Sequence, residues 1–133
     1  MNAFIVSLPN KPGEVAKVTE ALATKGINIT GFSGATCGDS GSVCLLTNDE
    51  SATRIALRGY DVHERELVVA SLADRPGSLA EAARRLADAR VNIEAAVPTG
   101  MSGGNISVAF ATDDPAKARD ALGSAVLTGS SHR

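Results

Sequence analysis

The chain has 133 residues, 44% of them hydrophobic and 21% charged, so it can bury the core of one ordinary domain or of two very small ones. Its net charge of -2 and aromatic content of 3% argue against a nucleic-acid partner, because such binding needs clustered Lys and Arg and aromatic surfaces for the bases. No apolar run approaches the roughly 18 residues of a membrane helix, and no export signal is visible, so we expect a cytoplasmic protein that binds no membrane.

An internal repeat is the strongest pattern in the chain. When Pro76-Gly77 is aligned with Pro12-Gly13, nine of the 33 positions from 4 to 36 are identical. One additional residue in a later loop shifts the alignment, after which Asp49 matches Asp114. A repeat of this length predicts two copies of one structural unit.

Each copy begins with a strand, a turn and a helix. Apolar, β-branched runs at 3–8 and 67–72 predict strands. We place Pro12 and Pro76 at the first residue of each helix, where the fixed φ of proline is tolerated. Gly26 ends the first helix, whereas the second copy has Arg90 there and is expected to end differently. Helical spacing predicts the apolar face as Val15, Val18 and Leu22 in one copy and Leu79, Ala82, Ala83 and Leu86 in the other.

A hairpin, a second helix and a fourth strand complete each copy. Strands at 27–32 and 91–97 join strands at 42–47 and 106–111 through glycine-rich turns. Asp49 and Asp114 are placed to cap a short helix, and fourth strands are expected at 60–64 and 125–128. The order predicts an α+β fold of two ferredoxin-like βαββαβ repeats, with antiparallel sheets and helices on one face. The expected domains are 1–65 and 66–128, followed by a flexible tail at 129–133.

The loop before the first helix of each copy is the best candidate for a binding site. Free backbone N–H groups at a helix N-terminus, together with the helix dipole, favour an anion such as a carboxylate. Asn28 and Asn92 begin the second strands, and their amides can donate and accept hydrogen bonds. In an alternative that stays open, Pro-Gly only starts the helix and the asparagines only cap a turn. The candidate loop residues are Gly13, Glu14 and Val15 in one copy and Gly77, Ser78 and Leu79 in the other.

Residues for catalysis or metal binding do not form a recognisable pattern. Cys37 and Cys44 flank the first hairpin, across which they could lie near each other, and they are expected to be reduced, inert thiols because their spacing is not that of a redox pair. His63 and His132 are scattered and complete no metal-ligand set. Since no nucleophile, base and orienting group can be assembled either, we expect no enzyme, no cofactor and no metal.

The loop residues give the chain a family resemblance. The segment Asn10-Lys11-Pro12-Gly13-Glu14-Val15, followed after a helix by Asn28-Ile29, resembles the ACT domain family, and Asp74-Arg75-Pro76-Gly77-Ser78-Leu79 with Asn92-Ile93 repeats the pattern. The chain therefore resembles a stand-alone tandem ACT-domain protein over about residues 3 to 128. The resemblance implies a small-molecule ligand, most often an amino acid, held where two domains meet. It implies ligand contacts from Asn10, Ile29, Asp74 and Ile93 as well.

Two classes of function follow from this sequence. The favoured hypothesis is a non-catalytic, amino-acid-binding regulatory module of amino-acid metabolism, acting on a biosynthetic enzyme. The alternative is a ligand-free assembly protein that pairs with itself or with a partner enzyme. Since each copy would leave sheet edges uncovered, we expect a homodimer in either case.

Overall fold

The computed structural model describes residues 1–127, which belong to two compact units. The first unit is Asn2–Arg65, and the second begins at Glu66 and includes Met1. The first contains β1 (Asn2–Pro9), α1 (Glu14–Thr24), β2 (Ile29–Cys37), β3 (Ser40–Thr47), α2 (Glu50–Ala56) and the start of β4 (Asp61–Ala73). The second contains the rest of β4, α3 (Ser78–Asp88), β5 (Ile93–Ser102), β6 (Asn105–Thr112), α4 (Pro115–Leu122) and a short 3-10 turn, Gly123–Ala125.

The sheet of each unit is antiparallel, with the second strand of the hairpin in its middle. β3 pairs with β1 and β2, so that Leu45 lies opposite both Phe4 and Phe32. β6 pairs with β4 and β5 in the same way, and Phe110 on β6 occupies the position equivalent to that of Leu45 on β3. The predicted α+β architecture of two ferredoxin-like repeats is therefore confirmed. No helix in the described part of the chain has the length and apolar character needed to cross a membrane.

The helices of each unit pack on one face of its sheet, because alternate strand residues and one helix stripe are apolar. The first core contains Phe4, Val6, Leu8, Val43 and Leu45 from the strands with Val18, Leu22 and Leu57 from the helical segments. The second contains Val68, Ala70, Leu72, Val108 and Phe110 with Ala82, Leu86, Ala118 and Leu122. Val15 and Leu79, placed on the buried face by helical spacing, are instead 44% and 58% exposed. Both are the second residue of their helix.

The hairpin strands are longer than predicted, and the last strand is shorter. β2 and β5 extend to Cys37 and Ser102, so the turns contain only two residues each, Gly38-Asp39 and Gly103-Gly104. The expected strand at 60–64 is present as the start of β4. Its counterpart at 125–128 is reduced to a single bridge between Val126 and Ala70, with Thr128 outside the described residues. The tail predicted at 129–133 also lies outside them.

Pro-Gly forms a type II turn before the helix instead of opening the helix itself. Gly13 has φ of 90° and ψ of -12°, and the Glu14 N–H donates to the Lys11 carbonyl oxygen at 3.4 Å. Proline at the second position and a positive φ at the third define this turn, and glycine is favoured there because it has no Cβ. Gly77 repeats the geometry. Placing the two prolines at the first helical residue was therefore wrong: α1 and α3 begin two residues later.

The helix caps follow the sequence more closely. The carboxylate of Asp49 accepts a hydrogen bond from the Ala52 N–H at 3.0 Å, and that of Asp114 accepts one from the Lys117 N–H at 3.1 Å. Pro115 is the first residue of α4. Both predicted second helices thus begin at an aspartate cap, as helix N-termini commonly do.

Both first helices end in the same motif, although only one has glycine there. Gly26 has φ of 70°, and the Ile27 N–H donates to the Leu22 carbonyl oxygen at 3.1 Å. Arg90 has φ of 61° at the equivalent position, and the Val91 N–H donates to the Leu86 carbonyl oxygen at 2.8 Å. The expectation of a different ending was wrong, because Arg90 adopts the left-handed backbone that glycine normally supplies.

Replacing Arg90 with glycine is expected to raise the free energy of unfolding by about 1 kcal/mol, because a left-handed backbone costs a residue with a Cβ about that much. The reverse change, Gly26→Arg, is expected to lower it by a similar amount. Urea unfolding followed by circular dichroism measures both. A destabilised Arg90→Gly variant would show that the arginine side chain contributes more than its backbone costs.

Candidate functional site

A groove lies in the first unit between the N-terminus of α1 and the edge strand β2. Its volume is about 370 Å³. Leu8 and Val43 form its floor, because these neighbours on β1 and β3 face the helices at the end of the sheet where the loop begins. Val15 and Phe32 contribute exposed apolar surface to it. We call this cavity the β2 groove.

Glycines on two strands keep the β2 groove open. Gly34 and Gly41 both line it. A Cβ at Gly34 would lie 3.1 Å from Cγ1 of Val43, and a Cβ at Gly41 would lie 2.8 Å from Cγ2 of Thr36. A side chain at either position would therefore fill part of the groove.

Polar groups surround one end of the β2 groove. The carboxylate of Glu14 accepts from Lys17 Nζ at 3.1 Å, and the Glu14 side chain is only 14% exposed. Nδ2 of Asn10 donates to the Gly38 carbonyl oxygen at 2.9 Å, which ties the loop to the hairpin and leaves Oδ1 without a partner among the described residues. An apolar floor beside the Glu14 carboxylate and the cationic Lys11, both of which line the groove, suits a small zwitterion.

The N-terminus of α1 adds hydrogen-bond donors at the same end. The first intrahelical bond of the turn joins the Lys17 N–H to the Gly13 carbonyl oxygen at 3.0 Å. The Glu14 N–H is used by the type II turn, while the next two amides, those of Val15 and Ala16, precede the regular helical bonds. These amides and the helix dipole favour an anion.

The structure does not bring Asn28 to this end of the unit. Asn28 follows α1 at its opposite end, about 16 Å from Gly13 for a helix of 11 residues. Its N–H donates to Oδ1 of Asn48 at 3.0 Å, and the Asn48 N–H donates back to the Asn28 carbonyl oxygen at 3.1 Å. One amino acid therefore cannot contact both Gly13 and Asn28 within one unit. Ile29 packs partly against the first core.

The predicted residues of the second unit are also dispersed. Asn92 donates its N–H to Oδ1 of Asp113 at 2.9 Å, in the role of Asn28, and Ile93 packs partly against the second core. Asp74 is exposed, and its N–H donates to the Gly104 carbonyl oxygen at 2.8 Å. Gly77 shapes the type II turn, Leu79 is exposed, and Ser78 is buried at the start of α3.

The two cysteines lie at different positions along the hairpin and are not paired with each other. Cys37 lies opposite Ser40 at the turn and is exposed, whereas Cys44 lies opposite Ser33 and is buried. Burial raises the pKa of the Cys44 thiol from 9.0 to about 11, and a hydrogen bond with Ser33 partly opposes that rise. Both thiols are free.

Folded protein at pH 8 is expected to take one iodoacetamide label at Cys37 and none at Cys44, since burial both shields the Cys44 thiol and disfavours its thiolate. Because the folded pKa exceeds the unfolded one, the contribution of Cys44 to stability is complete below pH 9 and is lost as the pH rises towards 11. Mass spectrometry of native and urea-unfolded samples counts the labels. Rapid double labelling of the native protein would contradict the assignment.

The sequence motif predicts some of the residues that line the β2 groove and gives no sign of the others. Asn10, Glu14 and Val15 were found from the loop motif. Phe32 and Val43 were missed because they reach the groove only through strand pairing. No group of three or more His, Cys, Asp or Glu residues suited to a metal ion occurs in the described part of the chain.

Comparison with solved structures defines the class of this fold. A protein from Bacteroides thetaiotaomicron aligns with a TM-score of 0.73 and 25% identity, over 91% of this chain and 85% of that one. The ligand-free regulatory subunit of aspartate kinase from Thermus thermophilus aligns with a TM-score of 0.63 and 24% identity, over 91% and 87%. The aspartokinase alpha and beta subunits align with a TM-score of 0.65 and 19% identity, over 91% and 86%.

The fold is therefore ACT-like, of the type found in regulatory subunits of aspartate kinase. No protein-family model matches this chain. No curated protein matches it either.

Proposed function

We propose that this chain is a non-catalytic regulatory module that binds an amino acid in the β2 groove. The observation that carries the proposal is the composition of that groove, in which an apolar floor adjoins a carboxylate, an amide and the N-terminus of a helix. The ACT-like fold supports a regulatory role, since similar structures include regulatory subunits of aspartate kinase.

The groove chemistry assigns an orientation to the ligand. Its carboxylate accepts a hydrogen bond from the amide of Val15, which lines the groove at the helix N-terminus where the dipole favours negative charge. Its ammonium group lies between the Glu14 carboxylate and Oδ1 of Asn10. Its side chain packs on the floor and against Phe32. A free amino acid has opposite charges a few ångströms apart, as this arrangement requires.

The second unit offers a related but unequal loop, and we propose that each unit is one ACT-type domain, 1–65 and 66–128. Asp74 replaces Asn10 there and supplies a full negative charge for an ammonium group. Gly77, Ser78 and Leu79 provide the same turn and helix start. The two loops are thus expected to differ in affinity.

We further propose a homodimer and a partner enzyme of amino-acid metabolism in the cytoplasm. β2 has a paired neighbour on only one side within its unit, so its other edge is available to a second copy. In such a dimer a second copy could bring Asn28 and Ile29, or Asn92 and Ile93, to a loop that they do not reach within one unit. The partner would be an enzyme that responds to the bound amino acid.

A thermal-shift screen of the full chain with the twenty amino acids tests ligand binding. A ligand at one hundred times its Kd adds about 2.7 kcal/mol of apparent stability, which is readily detected. Glu14→Gln is expected to weaken the binding of the selected amino acid at least 10-fold, because a hydrogen bond to its charged ammonium group is weakened. Isothermal titration measures the change.

Glu20→Gln is the matched control, because Glu20 lies on the exposed face of the same helix and does not line the groove. Equal affinity in the two variants would contradict the site. No response to any amino acid would instead favour a ligand-free assembly protein.

A further inference from the structure

Ser78 has a buried side-chain hydroxyl that forms no hydrogen bond within the described residues. It is the first residue of α3 and is only 7% exposed. Among the buried side-chain nitrogen and oxygen atoms of the described residues, Oγ of Ser78 is the one without a hydrogen-bond partner. Buried hydroxyl groups are normally paired, so an unpaired one marks a place where a partner from outside the chain fits.

Ser78 is one of the residues that line a second cavity, which we call the α3 groove. Its volume is about 310 Å³. Residues from the end of β4, from α3 and from the turn after α4, Ser124 among them, line it. Ser78, Ala82 and Arg85 line it from one face of α3, because residues at this spacing lie one above another on a helix. No β5 residue lines it, so it lies on the other flank of the helix from the edge strand.

The charges along the α3 groove favour an anion. Arg75 and Arg85 line it with one acid, Glu81. Arg75 Nη2 lies 3.7 Å from Oε2 of Glu81, so these two charges largely offset each other. Arg85 has no acidic partner within the described part of the chain and remains as the uncompensated cation. The N-terminus of α3 adds partial positive charge at the same place.

We propose that the α3 groove binds a small oxyanion, a phosphate or carboxylate group, which accepts a hydrogen bond from Oγ of Ser78 and pairs with the Arg85 guanidinium. The unpaired buried hydroxyl supplies the donor, and the helix N-terminus and Arg85 supply the charge. This site does not depend on amino-acid binding in the β2 groove.

The first unit does not repeat this chemistry. Glu14 stands where the second unit has Ser78, so the first unit has no hydroxyl donor at that position. Ala21 stands where the second unit has Arg85. The oxyanion site is therefore specific to the second unit, and the repeated backbone carries different ligand chemistry in each copy.

Titration of the full chain with inorganic phosphate, and separately with acetate, tests the proposal. Amide chemical shifts of Ser78 and Leu79 are expected to change saturably with at least one anion, and the stronger ligand identifies the preferred group. Ser78→Ala and Arg85→Gln are each expected to weaken binding about 10-fold, the loss typical of a hydrogen bond to a charged group. Arg84→Gln is the matched control, because Arg84 pairs with Asp88 and does not line the groove.

Ser78→Ala removes a hydroxyl that has no hydrogen-bond partner, so this variant is expected to melt at or above the wild-type temperature when no anion is present. Weaker anion binding by this variant therefore could not be attributed to unfolding. Saturable binding that Ser78→Ala and Arg85→Gln weaken and Arg84→Gln preserves supports the site. Absence of saturable shifts with both anions overturns it. Wild-type affinity in either groove variant, or equal weakening in the control, overturns it as well.

Discussion

Replacing Phe110 with alanine is expected to lower the free energy of unfolding by about 3–5 kcal/mol, the usual cost of removing a buried aromatic ring. Phe110 is 1% exposed, lies in the centre of the second sheet and packs within a core of small and medium side chains. Ala96 lies directly opposite it on β5 and is too small to fill the space. Since domains are stable by about 5–15 kcal/mol, this loss is a large fraction of the total and is expected to lower the urea midpoint markedly.

Phe32→Ala is the matched control for this loss. Phe32 on the edge strand of the first repeat is at the position equivalent to Ala96 in the second, and it is 49% exposed. Its removal is expected to cost about 1 kcal/mol or less, because much of the ring already contacts water. Urea unfolding followed by circular dichroism compares the two variants. Equal losses would mean that the Phe32 ring is buried in solution, for instance against a second copy.

Adding one methyl group at Gly41 is expected to cost about 1–3 kcal/mol, because it overpacks a paired strand. The new Cβ would lie 2.8 Å from Cγ2 of Thr36 and 2.9 Å from the carbonyl oxygen of Ala35. Thr36 can rotate, but the Ala35 carbonyl belongs to the backbone of β2, so the strand itself must shift. Unfolding in urea measures the loss.

Gly100→Ala provides the control for Gly41→Ala. Gly100 also lies on a strand beside a hairpin, but a Cβ there meets no atom within 4 Å. This variant is expected to change the free energy of unfolding by less than about 0.5 kcal/mol, as surface substitutions usually do. A loss at Gly100 as large as that at Gly41 would show that the cost arises from the backbone and not from the contact with Thr36.

The order of the strands and helices could be predicted because the same sequence pattern occurs in both copies of the repeat. Apolar positions such as Val18 and Leu22 follow helical spacing, and Asp49 marks a helix start by its side-chain oxygen. These are local signals, and each fixes its own element. The extent of β2 could not be predicted in the same way, because residues 33–37 lack an apolar pattern and extend as a strand only by pairing with β3.

The two errors at the helix ends have one physical origin. Both concern backbone conformation at single residues, Pro12-Gly13 before α1 and Arg90 after α3. Residue type gives only a preference at such positions, and the packing of the helix on its sheet decides the outcome. Arg90 adopts a left-handed backbone because the two hydrogen bonds that close the helix require it.

The candidate site could be predicted only for residues that are adjacent in the sequence to the Pro-Gly motif. Glu14 and Val15 lie beside the Pro-Gly turn, so the motif pointed to them directly. Phe32 and Val43 reach the same groove through strand register, which the sequence does not state. The unpaired hydroxyl of Ser78 could not be predicted from the sequence, because it depends on how all the surrounding residues pack in three dimensions.

The hydrogen bond between Asn10 and Gly38 depends on a side-chain amide that hydrolysis would convert to a carboxylate. Deamidation would replace the Nδ2 donor of Asn10 with a carboxylate oxygen, which repels the carbonyl oxygen that it now holds at 2.9 Å. The backbone bond from the Asn10 N–H to Asp39 would remain, as its equivalent does beside Asp74 in the second unit. A single hydrolysed amide would thus give the first loop the charge of the second and loosen one wall of its groove, without a change in the gene.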